Sequence, residues 1–106
     1  MTKLGGTAIV VGAGMGGLSA VAALARQFAS VIVLDRDTLP DGAAPRTAVG
    51  QGAHTHQLLK AGELSLERLL PGITGEFIAA GAREMLVGRD VKVFDFGGWM
   101  EDCDAG

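Results

Sequence analysis

Three glycines, Gly12, Gly14 and Gly17, follow the apolar run Ala8-Ile9-Val10-Val11 and stand in the spacing G-x-G-x-x-G. Eighteen residues past Gly17, the acid Asp35 ends a second apolar run, Val31-Ile32-Val33-Leu34. Residues of these types at this spacing suit a dinucleotide diphosphate. The first glycine permits a sharp strand-to-helix turn, and the second lets backbone approach an anion with no Cβ between. The third lets the helix sit close to the strand, with its first N–H groups and positive dipole end turned to the phosphates. An acid about 20 residues further on can accept hydrogen bonds from ribose hydroxyls. Helix-end attraction alone contributes about 0.3–2 kcal/mol, so further groups must take part.

The elements that have to position these residues are readable around them. Leu18, Val21, Ala22 and Ala25 recur at helical spacing and predict a helix packed on a sheet. Val31 to Leu34 carry apolar side chains on both faces, as parallel strands covered by helices do. Strand, glycine turn, helix, strand and acid make one βαβ unit over residues 1–36. Residues 37–54 carry Pro, Gly and Asp at turn positions and predict a long loop, a kind of segment that is usually functional or disordered. Leu58, Leu59, Gly62, Leu66, Leu69 and Leu70 trace one face of a helix that begins near Thr55 and stops at Pro71-Gly72, with the leucines as core. A short helix over residues 75–80, closed by Gly81, completes a helical stretch 55–81. Residues 83–87 and 91–96 predict two antiparallel strands around Gly88-Arg89-Asp90. Residues 97–106 read as a loop, so 82–106 form a hairpin and an unfinished end. The fold class is therefore α/β: an incomplete Rossmann-like βαβ unit, then a helix and a hairpin.

Composition narrows the function classes. At 106 residues the chain has room for one domain, and 48% hydrophobic residues with a mean hydropathy of +0.33 suit a buried α/β core. The net charge of -3 gives no reason to expect nucleic acid or an anionic membrane as partner. Cys103 is the sole cysteine, which excludes an intrachain disulfide framework and fits a reducing cytoplasm. Residues 4–25 carry no charge, follow Lys3 and end in Ala23-Leu24-Ala25, imitating a signal peptide or a span. Six glycines in phosphate-loop register and the acid-ended second strand argue against both. Two strands and a helix do not make an independently stable sheet domain; the expectation is the N-terminal portion of a larger domain, completed by more of the same protein or by a complementary chain.

Asp35-Arg36, the Pro45-Arg46 loop and the segment Gln51-Gly52-Ala53-His54-Thr55-His56-Gln57-Leu58-Leu59-Lys60-Ala61-Gly62 extend the pattern. With these residues the chain resembles the N-terminal part of FAD-dependent monooxygenases, in the hydroxylase and epoxidase-like branch of the aromatic-hydroxylase superfamily. Pro45, Arg46, Val49, Gln51, Gly52, His54, His56, Leu58, Leu59, Gly62, Leu66, Glu67 and Leu69 to Gly72 fit that pattern. Gly50 replaces an expected Pro, and Asp35 an expected Glu. The resemblance implies FAD as cofactor, NAD(P)H as reductant of the parent enzyme, and a small organic substrate that is hydroxylated or epoxidised. It assigns Gly12, Gly14 and Gly17 to the pyrophosphate, Asp35 to the adenosine ribose and Arg36 to the adenine or ribose edge. Arg46 would reach the flavin-side phosphate or ribityl chain, where a guanidinium fork suits a diphosphate, and Gln51 the ribityl hydroxyls. Surface solvation is the competing reading for both arginines and for Gln51.

His54 and His56 are weak catalytic candidates, as imidazoles that titrate near neutral pH. As H-x-H they lack a nearby third ligand, so no metal site is expected. Trp99 and Phe96 read as apolar packing, and the acidic residues around Cys103 as a solvated end. The 106-residue chain by itself is not expected to be catalytically competent. Two other readings stay open: a stand-alone or split-subunit nucleotide-binding module, and an NAD(P)-binding Rossmann fragment, whose ribose Asp35 would also suit but against which the Arg46 and H-x-H segment argues.

Overall fold

A computed structural model of the chain describes residues 3–101; Cys103 and its acidic neighbours Asp102 and Asp104 lie outside the described residues. The chain divides into two compact units, one running to Ile73 and the other starting at Thr74.

The first unit is built on strand β1 (Thr7–Val11), helix α1 (Met15–Leu24) and strand β2 (Ser30–Leu34). β1 and β2 pair in parallel, with Thr7 opposite Ser30 and Val11 opposite Leu34. This is the predicted mixed α/β arrangement, a partial Rossmann-like fold, and both strands open one residue before the apolar runs. Ala8, Val10, Val31 and Val33 face inward, and Val10 and Ala13 are the buried hydrophobic residues among those described.

The other sheet face departs from expectation. Ile9 (62% exposed), Val11 (82%), Ile32 (48%) and Leu34 (51%) stand open on it. The strands are apolar on both sides, as predicted, but α1 covers only one. α1 itself is half-buried along Val21-Ala22-Ala23-Leu24 because it contacts both the sheet and helix α2 (Lys60–Leu69). Leu18 and Ala25, expected on its packing face, are exposed.

After β2 the chain runs without regular structure to a 3-10 turn at Gly50–Ala53. α2 then starts at Lys60, five residues later than Thr55, because the residues before it stay extended: His54 has ψ 154° and Leu59 ψ 154°. Leu58 lies just ahead of this helix, and its side chain sits where a Cβ on Gly62 would be 3.1 Å away. Lys60 and Glu63 form an ion pair at 2.8 Å. At the other end, Arg26 donates to the carbonyls of Arg68 (3.0 Å) and Leu69 (2.6 Å), satisfying orphan carbonyls at the negative end of the helix. Of the predicted leucine core, Leu66 and Leu69 are half-buried, while Leu58, Leu59 and Leu70 are exposed.

The second unit holds all but the first residue of helix α3 (Ile73–Ala79) and a hairpin of β3 (Phe94–Asp95) and β4 (Gly98–Trp99). The predicted short helix is present and ends in a Schellman arrangement, Ala82 N–H to Phe77 carbonyl and Gly81 N–H to Ile78 carbonyl. The predicted hairpin is displaced. Gly88-Arg89-Asp90 does form a turn, yet its flanks meet only in an isolated bridge between Val87 and Val91. The Leu86 carbonyl accepts from both Arg89 and Asp90 N–H, and the Leu86 N–H donates to the Asp90 carboxylate at 2.9 Å. Leu86 therefore has no backbone group left for a ladder. Arg89 lies against the same carboxylate at 3.0 Å, holding Asp90 below and Arg89 above their ordinary pKa values.

The true strand pair turns at Phe96-Gly97, inside the stretch expected to be strand end and loop. Phe96 (φ 50°) and Gly97 (φ 81°) both take left-handed conformations, the requirement of a two-residue hairpin turn whose twist matches its strands. Phe94 and Trp99 face each other across it, ring centroids 5.2 Å apart and edge-on. Phe96 is fully exposed, so the packing role expected for it is absent. A phenylalanine in that conformation is strained. Replacing Phe96 with Asn should stabilise the hairpin by about 1 kcal/mol. Emission of Trp99, the single tryptophan, followed through thermal unfolding reports this; an unchanged or lower midpoint contradicts it.

Candidate functional site

Parallel pairing brings the ends of β1 and β2 together, and the site is built there. Val11 is opposite Leu34, so Gly12 and Asp35 leave the sheet side by side, and the Gly12 N–H donates to the Leu34 carbonyl at 2.7 Å. Gly12 has φ +97°, which lets the chain reverse into α1. Gly14 caps that helix with its backbone alone, and no acidic residue occupies the first turn. The helix's leading N–H groups have no intrahelical acceptor, and their partial positive charge is uncompensated by its own side chains. At Gly17 a Cβ would collide with the Gly12 carbonyl oxygen. At Gly14, in contrast, the space where a Cβ would stand is open.

Asp35 ties this turn to the loop that follows. Its Oδ2 accepts from the Ala13 N–H at 2.7 Å and its Oδ1 from the Asp37 N–H at 2.7 Å. Arg46 enters from the loop, with Nη2 3.0 Å from Asp35 Oδ2, Nε 3.6 Å from Asp37 Oδ2, and Nη1 donating to the Ala13 carbonyl at 2.6 Å. Asp37 Oδ2 also accepts from the Ala48 N–H at 3.0 Å. The backbone N–H of Ala13, then that of Asp37, lower the Asp35 pKa from 3.8 to about 2; burial opposes them, and the Arg46 guanidinium adds a lesser lowering. Nε and Nη2 of Arg46 are buried yet have no hydrogen-bond acceptor; the approaches to Asp35 and Asp37 are ion pairs whose N–H groups are off line.

An open cleft of about 430 Å³ lies over this network, lined by Val11, Gly12, Gly14, Leu34, Asp35, Arg36, Arg46, Ala48 and Val49. Of the nine residues singled out in the sequence, Gly12, Gly14, Asp35, Arg36 and Arg46 line it, and Gly17 abuts the Gly12 carbonyl. Gln51, His54 and His56 do not line it; all three are exposed on or just after the 3-10 turn. The sequence reading missed Asp37 and Ala48, which fix the loop. An acid two residues past a strand end was the available signal for Asp37.

Known proteins bear on the same stretch. Residues 10–60 match the NAD(P)-binding Rossmann-like domain family. That span contains every lining residue of the cleft, and the family is found in FAD-dependent oxidoreductases. The match therefore supports a dinucleotide-binding module of the oxidoreductase type. Protein Rv3254 of Mycobacterium tuberculosis (strain ATCC 25618 / H37Rv) is 38% identical over 74 residues, which cover 70% of this chain and 16% of that protein. No helix among the described residues is long and apolar enough to cross a membrane.

Two expected outcomes follow from the geometry. Gly17→Ala should cost about 2 kcal/mol or more in urea denaturation, because the clash is with backbone that cannot rotate away. The Asp35 carboxyl is held below its unfolded value of about 3.9, so the stability it confers is complete above that value. It is lost as pH falls toward about 2. Urea midpoints measured from pH 7 to pH 2 should therefore fall more steeply below pH 4 for the wild type than for Asp35→Asn. Parallel curves would remove the assignment.

Proposed function

We propose that this chain is the FAD-binding portion of a flavin-dependent oxidoreductase, most specifically a monooxygenase acting on a small organic substrate. The observation that carries the reading is the joining of Asp35, Arg46 and the glycine turn at one strand end. The residues present suit such a cofactor on two structural grounds. Gly14 leaves room beside its backbone for a phosphate, and Arg46 keeps two buried N–H donors without acceptors beside it, which an anionic diphosphate would satisfy.

In this reading Gly12, Gly14 and the leading N–H groups of α1 hold the pyrophosphate, Asp35 the ribose diol, and Arg36 the adenine edge. Arg46 contributes a fixed cation. The flavin, when bound, supplies the redox chemistry toward oxygen and substrate, while the protein binds and orients it. Monooxygenase character rests on the resemblance carried by residues 45–72. Gln51, His54 and His56 belong to that stretch without lining the cleft, so any ribityl or acid–base role for them requires the loop to move. The exposed apolar face of β1 and β2 is suited to burial by further protein, in the same chain or a partner, and catalysis belongs to that larger assembly.

A second reading is kept by the matched family's own description: NAD(P) would use the same turn and acid. Titration of the purified chain with FAD, ADP and NAD⁺, followed by flavin fluorescence and calorimetry, separates them. Saturable binding of FAD and ADP is expected; binding of NAD⁺ with none of FAD overturns the flavin reading. Gly14→Val should leave the fold intact, since Gly14 has ordinary extended angles (φ -76°, ψ -175°) and open space beside it. Its ADP affinity should nevertheless fall by about tenfold or more, the loss expected when a charge-assisted contact to phosphate is blocked. Unchanged ADP affinity in that variant would place the phosphates elsewhere.

A further inference from the structure

The carboxylate that the dinucleotide reading gives to the ribose is already partly occupied, with fewer than two positions free while Arg46 lies against it. Ionised carboxylate oxygens offer about four acceptor positions in all. At Asp35, Oδ1 is used by the Asp37 N–H, and Oδ2 faces both the Ala13 N–H and the Arg46 guanidinium. A vicinal diol needs two acceptor positions at once. The two backbone donors belong to the glycine turn and the strand end and are fixed with them. Arg46 is the one partner borne on a long side chain.

Arg46 is also poorly rewarded where it lies. Nη1 has a good acceptor in the Ala13 carbonyl, but Nε and Nη2 are buried with ion-pair neighbours and no hydrogen-bond acceptor. A guanidinium in that condition moves readily toward a better-aligned anion. The cleft beside it, where Gly14 leaves open space at the start of α1, is where such an anion would lie.

We propose that Arg46 is a latch on Asp35 that makes the site selective for nucleotides carrying a diphosphate over nucleosides with the same base and ribose. A diphosphate draws the guanidinium off Asp35 Oδ2 and satisfies its idle donors, and the diol takes the position released. A nucleoside has to break the same ion pair and offers the guanidinium nothing in return. The proposal rests on the dinucleotide reading and adds to it: Arg46 opposes the ribose contact in one ligand class while favouring the phosphate contact in the other. Asp37, 3.6 Å from Nε, and the Ala48 N–H on the same Asp37 oxygen set where the latch returns.

The test is a comparison of signs. Wild type and Arg46→Ala are titrated with adenosine and with ADP, reading the backbone amide NMR signals of Ala13 and Asp37, the two donors to Asp35. Removing the guanidinium should weaken ADP by about tenfold or more, the loss expected for a charge-assisted contact, and tighten adenosine severalfold. Arg46→Lys, which keeps the charge and the buried stem but not the fork, should shift both affinities in the same directions by less, and it carries the test if the alanine variant does not fold. Weakening of both ligands in parallel, or an adenosine affinity that does not rise, overturns the latch and leaves the dinucleotide reading intact. Absence of ADP binding by the wild-type chain overturns both.

Discussion

The contact between the Asp35 carboxylate and the Ala13 N–H holds the rest of the first unit in place. It joins the end of β2 to the turn after β1, across 22 residues of sequence, at 2.7 Å. Ala13 is the most buried residue of the described core at 1% exposure. An N–H there without an acceptor would carry the full desolvation cost of about 1–3 kcal/mol. The acid removes that cost and in turn acquires a charge that needs partners of its own. Asp37 N–H and Arg46 meet the need, and Arg46 brings the irregular loop after β2 back over the turn. One buried donor thus organises a strand end, a helix start and a loop.

The same network stores an imbalance. Asp35 faces three donors, two backbone N–H groups and a guanidinium, while Nε and Nη2 of Arg46 lack a hydrogen-bond acceptor. Structures usually satisfy such groups, and exceptions mark strain or function. Here the carboxylate and the guanidinium with unmet donors are adjacent and line a cleft, an arrangement on which the proposed dinucleotide reading rests. A purely structural clasp would pair the guanidinium fork with one carboxylate in line, as bidentate pairs do.

What the sequence made legible follows from how local the cause was. The βαβ unit and the place of Asp35 at its second strand end could be read because glycine spacing, strand periodicity and a strand-end acid act over a few residues each, whereas Arg46 was singled out only through a family resemblance, and its ion pair with Asp35 was not foreseen. The start of α2 could not be read, since Leu58 and Leu59 continue the leucine face of the helix backward while the backbone ahead of Lys60 is non-helical, extended at His54 and Leu59. Periodicity records which positions share a face and is silent on where the first turn nucleates. The hairpin was misplaced for a different reason. Gly88-Arg89-Asp90 looked like the tighter turn, but Asp90 competes for the Leu86 N–H and closes the turn on itself. The real turn uses Phe96, a residue that ordinarily resists the left-handed region. His54 and His56 were singled out by residue type and by the same resemblance, and both stand exposed beyond the residues that line the cleft.

Parallel pairing is what converts this local grammar into a site. In an antiparallel pair the residues after the two strands would leave at opposite edges of the sheet; in a parallel pair both carboxyl ends share one edge. The register sets the rest. With Val11 opposite Leu34, Gly12 and Asp35 are neighbours, and the next residue along, Ala13, presents its N–H to the carboxylate. A slip of one residue would also exchange the inward valines Val10 and Val33 for the outward Val11 and Leu34, turning every strand side chain to the opposite face. Burial of Val10 under α1 and the closeness of Gly17 to the Gly12 carbonyl resist that slip. The apolar packing beneath the helix and the polar contacts at the strand ends are therefore one constraint: the core fixes the register, and the register brings acid, amide and guanidinium together.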